Sequence, residues 1–533
     1  MLFSKPRPLV LFLIAIPLFA QKFEIEEATI AQVHDAMKAG TLTCRALVAQ
    51  YLRRIDTYDR NGPSINAIVL INPEAEKQAE ELDRRFKAGG FTGPLHCVPV
   101  IVKDNFETAG LRTTNGALAL EKFIPKQDAF QVKRIKEAGA IVLAKSNLAE
   151  WAFSPYETVS SIQPGYTKNP YALDRVTAGS SGGTAASVAA SFGLVGLGSD
   201  TGNSIRGPSS HQSLVGIRST MGLTSRAGVV PLSNLADIAG PMARTVEDAV
   251  RVFQVIVGSD PNDTATAPAD AHKNPNYAAS LDKNGLKGAT IGILRQAYER
   301  DTTDPEIVGI FNNAIEELKA AGATVIDAPV DLSAVQRARG GSGGAGGGAG
   351  GGGGGGGGGV GGQCQGFKYD LNHYLASKGD QVPVKNLTEI IASRGFHPST
   401  QFRLEQAEKG PENGPESPAC EADRKYREDF RQAVLKAMDK FKIDAFVYPT
   451  WSNVPRPIGD LNTPAGDNSQ VFSPTTGFPA INVPMGFSRG NTLPAGITIF
   501  GKAWSEATLI KFAFAYEQAT KHRHAPPTTP PLK

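Results

Sequence analysis

Residues Arg339 to Gly362 read RGGSGGAGGGAGGGGGGGGGGVGG. Ordering so many glycines costs more backbone entropy than the few other side chains can return, so the tract forms no packed element and is expected to be a disordered surface loop. The fold then depends on whether the tract links two domains or interrupts one. The sequence beyond it, FKYDLNHYLASKG, has the pattern of a short amphipathic helix and not of a new domain's opening, so an insertion into one domain is expected. A second loose stretch, Glu408 to Ala419, is rich in Pro, Gly and Glu.

Elsewhere helix-like and strand-like segments alternate. Ile30, Val33 and Met37, then Leu47, Val48, Tyr51, Leu52 and Ile55, have helical spacing and predict two helices broken at Gly40. HCVPVIV from His96 and AIVLAK from Ala140 read as strands, with a helix from Phe130 to Glu137 before the second. Ala185 to Phe192 reads as an Ala-rich helix entered through GSSGG, and Leu194 to Gly198 as the strand after it. Strands at TIGILR, TVIDAPV, DAFVYPT and AINVPMGF, a helix from Glu306 to Ala321 and a last one in SEATLIKFAFAYEQAT continue the pattern. Such alternation predicts an α/β sheet.

The first twenty residues place Lys5 and Arg7 before an apolar run from Leu9 to Phe19 and end on Ala20. The run is short for a bilayer span and is expected to be a secretory signal peptide, removed to leave a chain from Gln21 to Lys533 that does not stay inserted in a membrane. An exported protein, periplasmic or extracellular, is therefore expected. The whole chain carries +3, and without Lys5 and Arg7 it carries +1, which gives no reason to expect a nucleic-acid partner. Export would bring Cys44, Cys97, Cys364 and Cys420 into an oxidising compartment. Cys44 lies in a helical pattern and Cys97 on the apolar approach to a strand, so both read as buried thiols. Cys364 and Cys420, in loop-like sequence, are the better candidates for a bridge. No CxxC or Cys/His cluster suggests zinc.

Chemistry concentrates in three short stretches: PVIVKDN around Lys103, GSSGG from Gly179 to Gly183, and SDTGNSIRGP from Ser199 to Pro208. Each alone has a plain reading, as a snorkelling lysine, a turn before a helix and a polar loop. Together, in this order, they resemble the amidase signature family of serine hydrolases. The resemblance includes AGSSGG, GSDTG, SIRGP, GPLHCVPVIVKDN, GPMARTVEDAV and TGFPAINVPMG, and runs from about Ile25 to about Thr520. It implies one large α/β domain over residues 21–533, a mixed sheet of many strands covered by helices, with the Gly-rich insertion at 339–362.

By the same resemblance Ser204 is the nucleophile, Ser180 a bridging serine on a cis peptide, and Lys103 the base. The enzyme would be an amidase that cleaves a small-molecule carboxylic amide through an acyl-enzyme, with neither metal nor organic cofactor. The backbone N–H groups of Thr201, Gly202, Asn203 and Ser204 would form the oxyanion hole. Asp200 and Arg206 would brace that loop, and Ser181 would add a supporting hydroxyl. Asn203 stands where glycine is commoner, and Asn accepts positive φ more readily than most residues. A base at Lys103 must be neutral, which burial behind VPVIV would favour, while Asp104 should point to the other face of its strand. His211 reads as structural. Two alternatives remain: an amidotransferase A-type subunit that hydrolyses glutamine, which a signal peptide opposes, and a non-catalytic binding protein on the same fold, which the presence of Lys103, Ser180 and Ser204 opposes.

Overall fold

The computed structural model describes residues 23–335, 364 and 366–532; the expected signal peptide and Gly-rich loop lie outside them. Eleven strands form one mixed sheet. In chain order they are β1 (Ile68–Ile71), β2 (Pro99–Lys103), β3 (Ile141–Ser146), β4 (Val195–Asp200), β5 (Val215–Arg218), β6 (Ile238–Ala243), β7 (Thr290–Ile293), β8 (Thr324–Asp327), β9 (Ala445–Pro449), β10 (Ala480–Ser488) and β11 (Leu493–Phe500). Their order across the sheet is β1-β3-β2-β4-β6-β5-β10-β11-β9-β7-β8. β2 runs parallel to β3 and β4, and β7 parallel to β8 and β9, while the remaining pairs are antiparallel.

This is the α/β, single-domain architecture expected. Every residue of β2, β3, β4, β5, β6 and β9 is buried, as strands covered by helices on both faces must be. Helices Ile30–Lys38 and Cys44–Ile55 begin on Thr29 and Thr43, whose side chains accept from the first-turn backbone, and Gly40 between them has φ +71°. The helix Phe130–Glu137 lies where its periodicity predicts. Among the described residues no helix is long and apolar enough to cross a membrane.

The cysteines differ from expectation. Cys364 and Cys420 are bridged, and so are Cys44 and Cys97, which read as thiols. Both members of the second pair are buried in apolar surroundings, as expected, but the fold stacks the helix starting at Cys44 on the approach to β2 with the two Cα atoms 5.6 Å apart. That proximity spans 53 residues of sequence and has no local signature. The stretch 408–419 is less loose than it reads: a helix Gln401–Glu408 precedes it and a 24-residue helix, Pro418–Phe441, starts within it, capped by Ser417.

Candidate active site

β2 and β4 are parallel neighbours, with Val100 beside Val195 and Val102 beside Leu197, so Lys103 and Ser199 leave the sheet at the same edge. The carboxyl ends of parallel strands are where α/β proteins gather ligands. The helix Gly182–Ala189 packs over these strands, and its first residues follow Ser180 and Ser181. Its glycines are needed for that approach. A Cβ on Gly182 would overlap the side chains of Thr158 and Thr177, and one on Gly183 would overlap the backbone of Asn147. The Gly179–Ser180 peptide is cis.

Lys103 is fully buried. Its Nζ donates to Ser180 Oγ at 2.6 Å and to Ser199 Oγ at 2.8 Å, and Asn105 Nδ2 donates to the same Ser199 oxygen at 3.0 Å. Burial pushes the ammonium down to about 7, against the opposing pull of Asp237 and Asp200. Asp104 points to the other face, as strand alternation requires, where it pairs with Lys145 at 3.0 Å and accepts from Thr114 N. Among the described residues Lys103 is thus left with two hydroxyls and the Ser199 carbonyl as partners and no ion pair.

The loop after β4 is built around Asp200. Burial works to raise this carboxyl, but the guanidiniums of Arg206 and Arg218 overcome it and hold the group at about 2. Arg206 Nε reaches Asp200 Oδ2 at 3.1 Å and Arg218 Nη1 reaches Oδ1 at 2.9 Å, all three side chains being fully buried. Asp200 also accepts from the backbone N–H of Ile205, and Arg206 donates to the carbonyls of Gly202 and Ser469. Thr201 Oγ1 donates to Asp237 at 2.6 Å. The loop is therefore tied down on both sides. Among the described residues no acceptor takes the backbone N–H groups of Thr201, Gly202, Asn203 and Ser204.

Ser204 Oγ donates to Asn203 Oδ1 at 3.4 Å and not to Ser180. Both serines line one narrow cleft with Gly179, Asn203, Phe153, Ser154, Glu157 and Trp451. Ser181 N–H donates to the Ser204 carbonyl at 3.3 Å and its hydroxyl to the Ser199 carbonyl at 3.1 Å, which joins the two serine loops. Trp451 donates Nε1–H to the Gly207 carbonyl at 3.0 Å and stacks on His211 with ring centres 4.5 Å apart. Burial pushes His211 down to about 3, so this ring is neutral and structural at ordinary pH.

A sequence profile of the Amidase family matches residues 46–338 and 365–510. The chain belongs to the amidase signature family. It is 35% identical over 523 residues to a probable amidase of Arabidopsis thaliana, covering 95% of this chain and 92% of that one. It is 30% identical over 502 residues to the A-type subunit of glutamyl-tRNA(Gln) amidotransferase from Acinetobacter baumannii, covering 93% and 97%. Among solved structures it resembles a peptide amidase in complex with the competitive inhibitor chymostatin, with TM-score 0.81, 33% identity and coverage of 94% and 99%. The native peptide amidase of Stenotrophomonas maltophilia gives TM-score 0.78 at 34% identity, covering 94% and 98%. This chain is an amide-hydrolysing enzyme of that family.

Of the residues expected in the site of this amidase signature enzyme, Ser180, Asn203 and Ser204 line one cleft; Lys103 reaches it through its hydrogen bond to Ser180, Ser181 joins the two serine loops, and Asp200 and Arg206 brace the loop that carries Thr201 to Ser204. Asn203 lies there without the positive φ that its place in the loop suggested, and its side-chain oxygen accepts from Ser204. Sequence reasoning missed Ser199, Asn105, Arg218, Asp237, Glu157 and Trp451. Ser199 opens the stretch SDTGNSIRGP, one residue from Asp200, but nothing local says that its hydroxyl turns toward Lys103.

Proposed function

We propose that this amidase works through an acyl-enzyme on Ser204, with Ser180 as proton bridge and Lys103 as base. Neutral Lys103 accepts a proton from Ser180 Oγ, Ser180 takes one from Ser204 Oγ, and the Ser204 oxygen attacks the amide carbonyl. The negative charge formed on the carbonyl oxygen is met by the N–H groups of residues 201–204, which no acceptor among the described residues engages. Collapse breaks the C–N bond as the relay returns its proton to the departing nitrogen. Water, deprotonated by the same relay, then attacks the Ser204 ester and releases the carboxylate.

The observation that carries this reading is Lys103 Nζ 2.6 Å from Ser180 Oγ in a fully buried site that lowers the ammonium to about 7. An amine held near neutral pH by burial is matched to general-base work. The nucleophile's rotation from Asn203 toward Ser180 completes the line, and apo hydrogen bonds of this kind commonly tighten when substrate binds.

Likeness to two peptide amidase structures over 94% of the chain supports a peptide-type amide as substrate. The likeness to part of an amidotransferase makes glutamine the second reading. Two disulfides and the leader-like first twenty residues support an exported, stand-alone enzyme over that one. Ammonia release by residues 21–533 from peptide amides, simple amides and glutamine, with Ser204→Ala and Lys103→Ala beside it, tests the reading. Turnover by both variants at the wild-type rate would overturn it.

A further inference from the structure

Glu157 is the one carboxylate among the residues lining the cleft that holds Ser180 and Ser204. It is 4% exposed, and its Oε1 accepts from Arg456 Nη2 at 3.0 Å, a side chain equally buried. Among the described residues Oε2 has no well-aligned hydrogen-bond partner, the backbone N–H of Ala178 being the one donor that interacts with the carboxylate besides Arg456. On the same wall Ser154 Oγ is 1% exposed and also without a partner. Burial pushes the Glu157 carboxyl up while Arg456 acts to lower it.

A buried carboxylate oxygen whose acceptor capacity is largely unused destabilises a fold, and native proteins leave few such atoms unless something else satisfies them. The backbone holds this wall in an uncommon shape, with positive φ at Trp151, Ala152 and Glu157. A Cβ on Gly179 would stand 3.3 Å from Glu157 Cα, so the wall lies directly against the residue before Ser180. Glu157 and Ser154 therefore line the same cleft as the two serines, with acceptor capacity to spare.

We propose that Glu157 is a specificity-determining residue: its Oε2, together with Ser154 Oγ, receives an N–H donor of the substrate. The enzyme then selects amides that carry a further N–H beside the scissile group, as acylated amino-acid amides and peptide amides do, over amides that lack one. This rests on the cleft around Ser180 and Ser204 being the active site.

The test compares ammonia release from N-acetylalaninamide and from O-acetyl-lactamide, in which an ester oxygen replaces that N–H. Each is measured with wild type, with Glu157→Gln, which offers an NH₂ where Oε2 stood, and with the double variant Glu157→Leu/Arg456→Leu, which leaves no charge unpaired. Fluorophosphonate labelling of Ser204 is followed in parallel to report on the site itself. Wild type is expected to favour the N–H substrate at least tenfold in kcat/KM, mainly through KM, and both variants to bring the ratio near one. Labelled variants that keep the wild-type ratio would overturn the proposal and leave Glu157 as a partner for Arg456 alone. A labelled wild type with no preference would overturn it too, whereas a wild type that is not labelled at Ser204 would overturn the active-site reading beneath it.

Discussion

Lys103 Nζ donates to Ser180 Oγ at 2.6 Å on one face of the sheet, while on the opposite face Lys145 Nζ meets the Asp104 carboxylate at 3.0 Å. Two fully buried lysines on neighbouring strands thus have different partners. Lys145 has a carboxylate beside it as well as the Thr113 hydroxyl, whereas Lys103 has the hydroxyls of Ser180 and Ser199. In the neutral amine the Lys103 contact can carry a proton the other way, from the serine to nitrogen, which is what a base requires.

Replacing Lys103 by Ala is expected to lower kcat by about 10²- to 10⁴-fold, the usual contribution of a positioned base. Steady-state ammonia release checks this, with circular dichroism to show that the variant is folded. An effect under threefold would mean that the proton goes elsewhere.

The pH dependence follows from the same lysine. Because burial lowers it from 10.5 to about 7, kcat/KM is expected to rise with pH through about 7 and level off above. Between about 7 and 10.5 the unfolded chain holds a proton that the folded one does not, so this group makes the fold more stable as pH rises across that window. Lys103→Met removes the penalty, and its gain in Tm should be largest below pH 7 and fade toward pH 10. A gain that does not change with pH would contradict the assignment.

Asp200 answers two arginines and two backbone N–H groups, so removing it strands two buried cations. Asp200→Ala is expected to cost roughly 3–5 kcal/mol, the range for breaking a buried ion pair from one side. Urea unfolding measures it, and a loss below about 1 kcal/mol would show that the pairs are solvated.

The Cys44–Cys97 bridge closes a loop of 53 residues. Losing it through Cys44→Ser/Cys97→Ser is expected to cost about 4 kcal/mol by the loop-entropy relation. Non-reducing peptide mapping should show Cys44 joined to Cys97 and Cys364 to Cys420, and any other pairing would contradict the fold.

Much of the architecture was legible because it is local. The helix Phe130–Glu137 and the strands at TIGI and AFVYP announce themselves by periodicity and apolar runs bounded by turns. β6 (IAGPMA) and β11 (LPAGITIF) do not, since Pro and Gly lower their strand propensity, and they form because each is buried between neighbours on both sides. The same divide runs through the site. Lys103, Ser180 and Ser204 could be named from motifs whose order resembles a family, whereas Arg218 comes to Asp200 from another strand and Glu157 comes to Ser180 through a loop with left-handed residues. Those contacts exist only once the chain has folded, as does the Cys44–Cys97 bridge.

The most direct test of the central claim is to treat the protein with a fluorophosphonate and locate the adduct by peptide mass spectrometry. One adduct on Ser204 is expected, absent from Ser204→Ala and formed at least a hundredfold more slowly in Lys103→Ala and Ser180→Ala. An adduct on another residue, or full amide turnover by Ser204→Ala, would contradict it.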